Sequence, residues 1–518
     1  MLVPCVFNRM TTRDQAKRLF GRPQDRICAV VAAATARAMV PQVRRALRHS
    51  RTIELRLDWL RSDTERARFL GWLKRNRPRG ATFLATCRRI AGGGRLPGGA
   101  QAELYWLIQA REAGCQWCDL EMETFRDLPE GFAREYPLPA RVMLSIHDFE
   151  ETPRLPRRFK VAPNGQMDAL KIAVKANSIA DSIRVLQVTS RSRRLVAVPM
   201  GEMGLPARIL SLREGSELAY APVECPTAPG QVGLGDFKNL YRAHSLTRDS
   251  AVYGVIGNPI AHSLSPLLHN TGFAAQRMDA VYLPFLVHDL SDFLNAIPKL
   301  GIRGFSVTIP YKQAIVQHLS ECDPLAVQIG AVNTVVVRRD GTLHGYNTDY
   351  AGVLAALERK LRISASRVLI LGAGGSARAA AFALVRAGAT VCICARRPVA
   401  AGALARSVNG EAVPRRSLRT QRFDAVLNAT PVGMHPHNGA SPLHPSELNC
   451  ELILDLIYRP LRTQLLKLAE ARRIKTVSGA EMFLAQGLAQ WRIWQGKNPP
   501  EAAIRRAVLT QLRREERS

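Results

Sequence analysis

The chain has 518 residues, 47% hydrophobic and 22% charged, a globular composition too long for one ordinary core and unlike that of a disordered chain. Its formal charge of +30 raises nucleic acid as a partner, but the 73 Lys and Arg form no single block, so the surplus reads as an arginine-rich surface that attracts anionic substrates. No run of about 18 uncharged apolar residues occurs, so no membrane span is expected, and ten cysteines in so long a chain do not make a small disulfide framework.

Residues 1–26 hold Arg9, Arg13, Lys17, Arg18, Arg22 and Arg26 against Asp14 and Asp25, and they lack the apolar core of a secretory signal. They read as a basic N-terminal arm, expected to be disordered. An upstream start codon before Met10, or an organellar transit peptide, is the alternative; the expected location is cytoplasmic. From residue 27, β-rich apolar runs alternate with amphipathic helical segments. The runs are 27–34, 52–59, 81–88, 117–122, 141–149, 169–174, 195–201 and 217–222. Eight such units in roughly 200 residues predict a (β/α)8 barrel over 27–240. The Pro- and Arg-rich stretch 152–163 predicts a short or irregular fifth helix. Cys115 and Cys118 form a CxxC with no second pair, and Cys392 and Cys394 share one face of an apolar run, so buried reduced thiols and no metal are expected.

In such a barrel the chemistry sits where strands end. Glu54, Arg56 and Asp58 alternate on one face of strand 2, Arg88 ends strand 3, His147 ends strand 5, Arg208 follows strand 7 and Gln231 follows strand 8. Lys171 lies inside strand 6 between Leu170 and Ile172. A lysine there is costly unless paired or neutral. Burial and nearby arginines would favour the free amine, which can attack a ketone. With His147 on the adjacent strand, a catalytic lysine outweighs one that snorkels at a strand end.

These residues stand in IELRLDW, TCR, SIHDF, LKIAV, PMGEMGLPAR and TAPGQ, an ordered set that resembles type I 3-dehydroquinate dehydratase over 27–235. The resemblance implies that Lys171 forms a Schiff base with the C3 ketone of 3-dehydroquinate. It implies that His147 takes the C2 proton and later protonates the departing hydroxyl. Arg208 would clamp the substrate carboxylate, while Glu54, Arg56, Arg88, Thr227 and Gln231 hold hydroxyls and charge. Three positions depart from the family. Its usual carboxylate before paired glycines is missing from RRIAGGGR, where Ala91 and Gly92 stand; Ala207 replaces a serine; Thr227 stands where serine is common. The first departure bears on water loss or product release and not on the Schiff base.

Residues 236–250 predict the barrel's last helix running into a polar linker. Beyond it, 251–352 reads as a substrate-binding domain completed by about 487–518, and 353–486 as a Rossmann domain. The stretch RVLILGAGGSARAAAFALVRAGATVCICARR (367–397) places Gly372, Ala373, Gly374, Gly375, Ser376 and Ala377 between a strand and a helix. Its glycines let the backbone approach a pyrophosphate at a helix N-terminus. The second strand ends in Arg396 and Arg397 where an NAD enzyme would carry an acid. Two guanidinium groups suit a 2′-phosphate, which favours NADP(H).

Ser263 and Ser265 in NPIAHSLSP, Thr308 and Lys312 in GFSVTIPYK, Asn333 in GAVNT and Asp349 in GYNTD each follow an apolar run, as strand-end loops lining a cleft do. With LNATPVGM (427–434), DLIYRPLRTQLL (455–466) and SGAEMFLAQGLAQW (478–491), they resemble the shikimate dehydrogenase family over about 251–500. By that resemblance Ser263 and Ser265 bind the substrate carboxylate, Thr308, Asn333 and Gln486 bind ring hydroxyls, and Tyr458 also meets the substrate. Lys312 and Asp349 would form the catalytic pair, with Asp349 also touching substrate. Asn428, Thr430, Gly433 and Met434 would line the nicotinamide side, with Gly479 in the cofactor site. Ser306 replaces the family's common asparagine. Ala395-Arg396-Arg397 stands for Asn-Arg-Thr, with Arg396 aligned to the phosphate-binding arginine.

The two resemblances imply one chain that converts 3-dehydroquinate to 3-dehydroshikimate and then, with NADPH, to shikimate. A catabolic NAD enzyme acting on quinate or shikimate is opposed by Arg396 without a nearby acid. A regulator resembling the fungal quinate repressors has no need of Lys171, His147, Lys312 and Asp349, and all four are present. Neither a membrane nor a nucleic acid is an expected partner, and the oligomeric state stays open.

Overall fold

A parallel strand covered on both faces is buried at nearly every position, with most of its residues apolar. The eight runs of the first half form such strands in the computed structural model, which describes residues 19–516 apart from 77, 129–137, 140, 161–166, 225–229, 359 and 436. The chain divides into two compact units, one of residues 1–250 with Phe285–Leu300 and one of Ala251–Pro284 with Gly301–Ser518.

In the first unit the strands are β1 (Ile27–Val31), β2 (Thr52–Arg56), β3 (Thr82–Thr86), β4 (Trp117–Glu121), β5 (Arg141–Asp148), β6 (Ala169–Lys175), β7 (Leu195–Met200) and β8 (Ala219–Pro222). Their order is β7-β6-β5-β4-β3-β2-β1-β8. All seven joins in that order are parallel. At the remaining seam the Glu217 N–H donates to the Leu195 carbonyl and the Ala197 N–H to Ser216 Oγ, so the sheet all but closes. The predicted (β/α)8 barrel is present. Cys28, Val30, Leu84, Trp117, Met143, Ala173, Val196, Val198 and Tyr220 belong to one buried cluster contributed by seven of the strands. Helices start where polar caps stand: Thr35 accepts from the Ala38 N–H, and Ser178 with Asp181 forms a capping box. Residues 152–160 form no helix, in line with their prolines and arginines. Instead of a full last helix, Asp236–Leu240 makes one wide turn and Ala243–Ser245 a tight one.

The second half holds two sheets. One runs β10-β9-β11-β13-β14-β12 and is mixed, with β9 (Ala251–Gly257) parallel to β11 (Ile302–Val307) and β13 (Thr334–Val337) antiparallel to β11 and to β14 (Leu343–Tyr346). Its other members are β10 (Ala280–Leu286) and β12 (Glu321–Cys322). The other sheet runs β17-β16-β15-β18-β19-β20 and is parallel throughout. These strands are β15 (Arg367–Leu371), β16 (Thr390–Cys394), β17 (Glu411–Ala412), β18 (Phe423–Asn428), β19 (Cys450–Asp455) and β20 (Lys475–Val477). Counted from β15 the order is 3-2-1-4-5-6, the doubly wound arrangement that binds dinucleotides where the order reverses. The helix Gly479–Gln495 runs unbroken through 486–487.

Candidate active sites

Inward-facing side chains of a barrel alternate along each strand, and the register brings polar ones together. Ser145 of β5 pairs in register with Glu121 of β4 and with Lys171 of β6. Lys171 Nζ donates to Asp119 Oδ2 at 2.7 Å, lies 3.8 Å from Glu54 Oε1 and stands 4.4 Å over the Tyr220 ring. Asp119 Oδ1 also accepts from Ser145 Oγ (2.5 Å) and Arg88 Nη2 (3.0 Å). Burial tends to raise the Asp119 pKa, but the Lys171 and Arg88 cations hold it well below the usual carboxylate range. Arg88 Nη1 lies 2.7 Å from His147 Nδ1. Burial, then Arg88 and Lys171, push His147 well below the usual imidazole range, so the ring is neutral at pH 7. Glu54 accepts from Thr86 Oγ1, and Arg56 forms a two-point ion pair with Asp58.

Arg208 is buried in the first turns of the helix Leu205–Glu214. Its Nε donates to the Pro199 carbonyl, while Nη1 and Nη2 have no hydrogen-bond partner among the described residues. Burial lowers its pKa to about 10, which still leaves it charged at pH 7. A buried cation with two unused donors is costly unless an anion completes it. Thr227 lies outside the described residues; Gln231 follows β8 and is half-buried.

In the second half Lys312 Nζ donates to Asp349 Oδ2 at 2.5 Å and to Ser376 Oγ at 3.0 Å. Asn333 Nδ2 donates to Asp349 Oδ1 at 2.8 Å, and its Oδ1 accepts from the Thr348 N–H. Asp349 is buried and its orientation is thereby fixed from both oxygens. Ser263 Oγ accepts from the Ser265 N–H. Half-buried Tyr458 bonds to Ser263, and desolvation raises its phenol pKa. Thr308 caps the end of β11, its N–H donating to the Ile256 carbonyl. Gln486 sits on the helix Gly479–Gln495, with Nε2 on the Phe483 carbonyl and its Cβ close to Gly352. Ser306 Oγ is held between Tyr282 OH (2.6 Å) and Gln490 Oε1 (2.8 Å), so in this chain the serine ties β11 to that helix.

The glycine turn fits a dinucleotide. Gly372 has φ +111°, a left-handed backbone that favours glycine. A Cβ on Gly374 would meet nothing within 4 Å, which leaves the approach open, and one on Gly375 would lie 3.1 Å from Lys312 Cβ. The helix Gly375–Arg386 begins with no side-chain cap, so its N–H groups are available to an anion. Ala373 and Ser376 flank these glycines, and Ala377 is fully buried against β15. Arg396 and Arg397 are exposed at the end of β16 and make no side-chain ion pair among the described residues. Asn428 Nδ2 donates to Asp455 Oδ1, while Asn428 Oδ1 accepts from the Thr430 N–H and hydroxyl. Gly433 (φ +100°) and exposed Met434 follow, and Gly479 packs so tightly that a Cβ would lie 2.4 Å from the Leu456 carbonyl.

The type I 3-dehydroquinase family model matches residues 27–247. The shikimate dehydrogenase substrate-binding domain matches 255–335, and the shikimate 5′-dehydrogenase C-terminal domain 479–509. The bifunctional 3-dehydroquinate dehydratase/shikimate dehydrogenase, chloroplastic, of Arabidopsis thaliana is 33% identical over 501 residues, covering 92% of this chain and 83% of that one. This chain belongs to the bifunctional 3-dehydroquinate dehydratase/shikimate dehydrogenase family. Its second half is also 40% identical, over 285 residues, to the NADP(+) shikimate dehydrogenase of Methanothermobacter thermautotrophicus, 52% of this chain and all of that one. A solved shikimate 5-dehydrogenase of Thermus thermophilus, in complex with NADP(H) and shikimate, is 36% identical with a TM-score of 0.46, covering 50% of this chain and 98% of that one.

Within this bifunctional family member, one expectation needs correcting. The charges nearest Lys171 are the carboxylates Asp119 and Glu54, not arginines. Asp119, Ser145, Glu121 and Tyr220 were not foreseen as site residues. Asp119 and Glu121 alternate in the apolar run WCDLEM just as Glu54 and Arg56 do in theirs, and that alternation was the available signal. Tyr282, Gln490 and Asp455 were not foreseen either: Tyr282 stands in an apolar strand, and Gln490 and Asp455 carry no local pattern that sets them apart from the other polar residues of their elements. Among the described residues no helix is long and apolar enough to cross a membrane.

Proposed function

We propose that the chain is a bifunctional shikimate-pathway enzyme, a lyase that dehydrates 3-dehydroquinate to 3-dehydroshikimate and an NADP-dependent oxidoreductase that reduces 3-dehydroshikimate to shikimate. We assign the lyase to 27–240, the substrate lobe of the reductase to 251–352 with about 487–518, and the cofactor lobe to 353–486. The observation that carries the lyase is a buried lysine on β6 close to a histidine that its surroundings hold neutral.

Lys171 Nζ attacks the C3 carbonyl and water leaves, forming an iminium. The iminium keeps a positive charge where the ammonium stood, so Asp119 at 2.7 Å and the Tyr220 face at 4.4 Å serve both states. The C2–H electrons flow into the iminium as His147 accepts the proton, and His147 returns a proton to the departing hydroxyl. The two unused donors of Arg208 suit the substrate carboxylate. Glu54, Arg56, Arg88, Thr227 and Gln231 take hydroxyls and charge.

In the reductase, bound NADPH supplies hydride to the ketone carbon. Lys312 donates the proton to the reacting oxygen, and Asp349, fixed by Asn333, holds the lysine in place. Ser263, Ser265 and Tyr458 meet the carboxylate end, with Thr308, Asn333 and Gln486 on the ring. The uncapped helix and Gly374 suit the pyrophosphate, and Arg396 and Arg397 the 2′-phosphate. The buried thiols Cys28, Cys87, Cys118, Cys392 and Cys394 support a reducing compartment such as the cytoplasm. The test is to add 3-dehydroquinate and NADPH, follow loss of NADPH absorbance and identify shikimate. Borohydride added with 3-dehydroquinate alone should mark the Lys171 peptide. Dehydratase turnover with no adduct there would sink the Schiff-base assignment.

A further inference from the structure

His147 presents a problem for its own proposed task. An arginine cannot accept a hydrogen bond, so Arg88 Nη1 at 2.7 Å must donate to His147 Nδ1. A neutral ring in that contact carries its proton on Nε2, and its only lone pair is the one Arg88 occupies. To take a proton the ring needs that lone pair back. Once protonated it would also face the guanidinium as a second cation. Arg88 Nη1 therefore needs another acceptor within reach.

Glu121 supplies it. Its side chain is buried at the C-terminal end of β4, and Oε2 is anchored by Arg89 Nε at 2.7 Å. Its Oε1 has no hydrogen-bond partner among the described residues and lies 3.8 Å from Arg88 Nη1, the same nitrogen that holds His147. A buried carboxylate oxygen left unpartnered is costly, and such atoms call for an explanation. The carboxylate has this position because position 92 is glycine: a Cβ there would lie 2.0 Å from Glu121 Oε1. Gly92 has no left-handed φ, so the backbone does not demand glycine, and the space is what it provides.

We propose that Glu121 is a positioning residue of the dehydratase site, receiving the Arg88 Nη1 donor so that His147 Nδ1 is freed to accept the substrate proton. No covalent bond changes in this shift; one N–H exchanges a nitrogen acceptor for an oxygen. Glu121 thereby provides from β4 a carboxylate next to the arginine that holds the histidine, where the loop after β3 has none. The inference rests on the lyase reading above. If the unaltered chain does not dehydrate 3-dehydroquinate, that reading fails; the variants below address Glu121 alone.

Glu121→Gln should lower dehydratase kcat by about 10- to 100-fold, with KM changed little. Borohydride should still trap the Lys171 adduct, because iminium formation does not need His147 as a base. Reduction of 3-dehydroshikimate by the same chain should stay unchanged. Gly92→Glu alone should impair the dehydratase, since two carboxylates would compete for one space, and adding Glu121→Ala to it should recover most of the rate. Unchanged kcat in Glu121→Gln, loss of trapping in that variant, or a double variant no better than Glu121→Ala would each overturn the proposal.

Discussion

Arg208 shows how a single residue can be informative through what it lacks. Its two terminal nitrogens are buried and unpartnered among the described residues, a state that stability alone would not favour. Arg208→Leu should therefore abolish binding of 3-dehydroquinate yet raise the stability of the barrel, by on the order of 1–3 kcal/mol for a buried charged group relieved of its unmet hydrogen bonds. The measurement is a thermal or denaturant melt of the variant beside a dehydratase assay; a destabilised barrel would mean that the Nε bond to the Pro199 carbonyl outweighs the relief of the two unmet terminal nitrogens. The sequence made Arg208, Lys171 and His147 legible because charge on an apolar strand or just beyond its end is conspicuous. Asp119 and Glu121 have the same character but were passed over, since acids near strand ends are common and the pairing with Lys171 and Arg88 depends on barrel register across strands. The expectation of nearby arginines missed the carboxylates that touch Lys171 for the same reason: sequence gives parity along one strand, not which neighbour's side chain arrives.

At the scale of elements, the barrel strands were readable because burial on both faces writes a continuous apolar run. Two-residue strands such as β12 and β17, and the turn Asp236–Leu240, leave no such trace. The glycine turn between β15 and its helix was the most legible element, because Gly372 needs a backbone that other residues resist. Its partner element is the end of β16, where Arg396 and Arg397 stand exposed. A charge-assisted contact contributes about 1.5–3 kcal/mol, equivalent to roughly a 10- to 150-fold preference for NADPH. Arg396→Ala should raise the Michaelis constant for NADPH by an amount in that range and leave the weak NADH reaction nearly unchanged. Equal weakening with both cofactors would make the arginine structural, and the selectivity would have to come from elsewhere in the lobe.

For the whole molecule, the side chains proposed for the two chemistries share no residue. The contacts proposed to serve the lyase run through Glu121, Arg88, His147, Asp119 and Lys171, and those proposed for the reductase through Asn333, Asp349, Lys312 and Ser376. Lys171→Ala should remove the first step while reduction of supplied 3-dehydroshikimate continues at the original rate. Lys312→Ala should let 3-dehydroquinate be consumed and 3-dehydroshikimate accumulate, with turnover lost and NADPH binding retained. Because each network is complete without the other, an equal mixture of the two variants should again convert 3-dehydroquinate to shikimate, after a lag while the intermediate builds up in solution. The lag should shorten as both variants are concentrated together, as expected of a freely diffusing intermediate. If the mixture stays inactive although each variant retains its own half-reaction, the intermediate does not escape to solution, and the two activities are coupled in a way that independent networks do not account for.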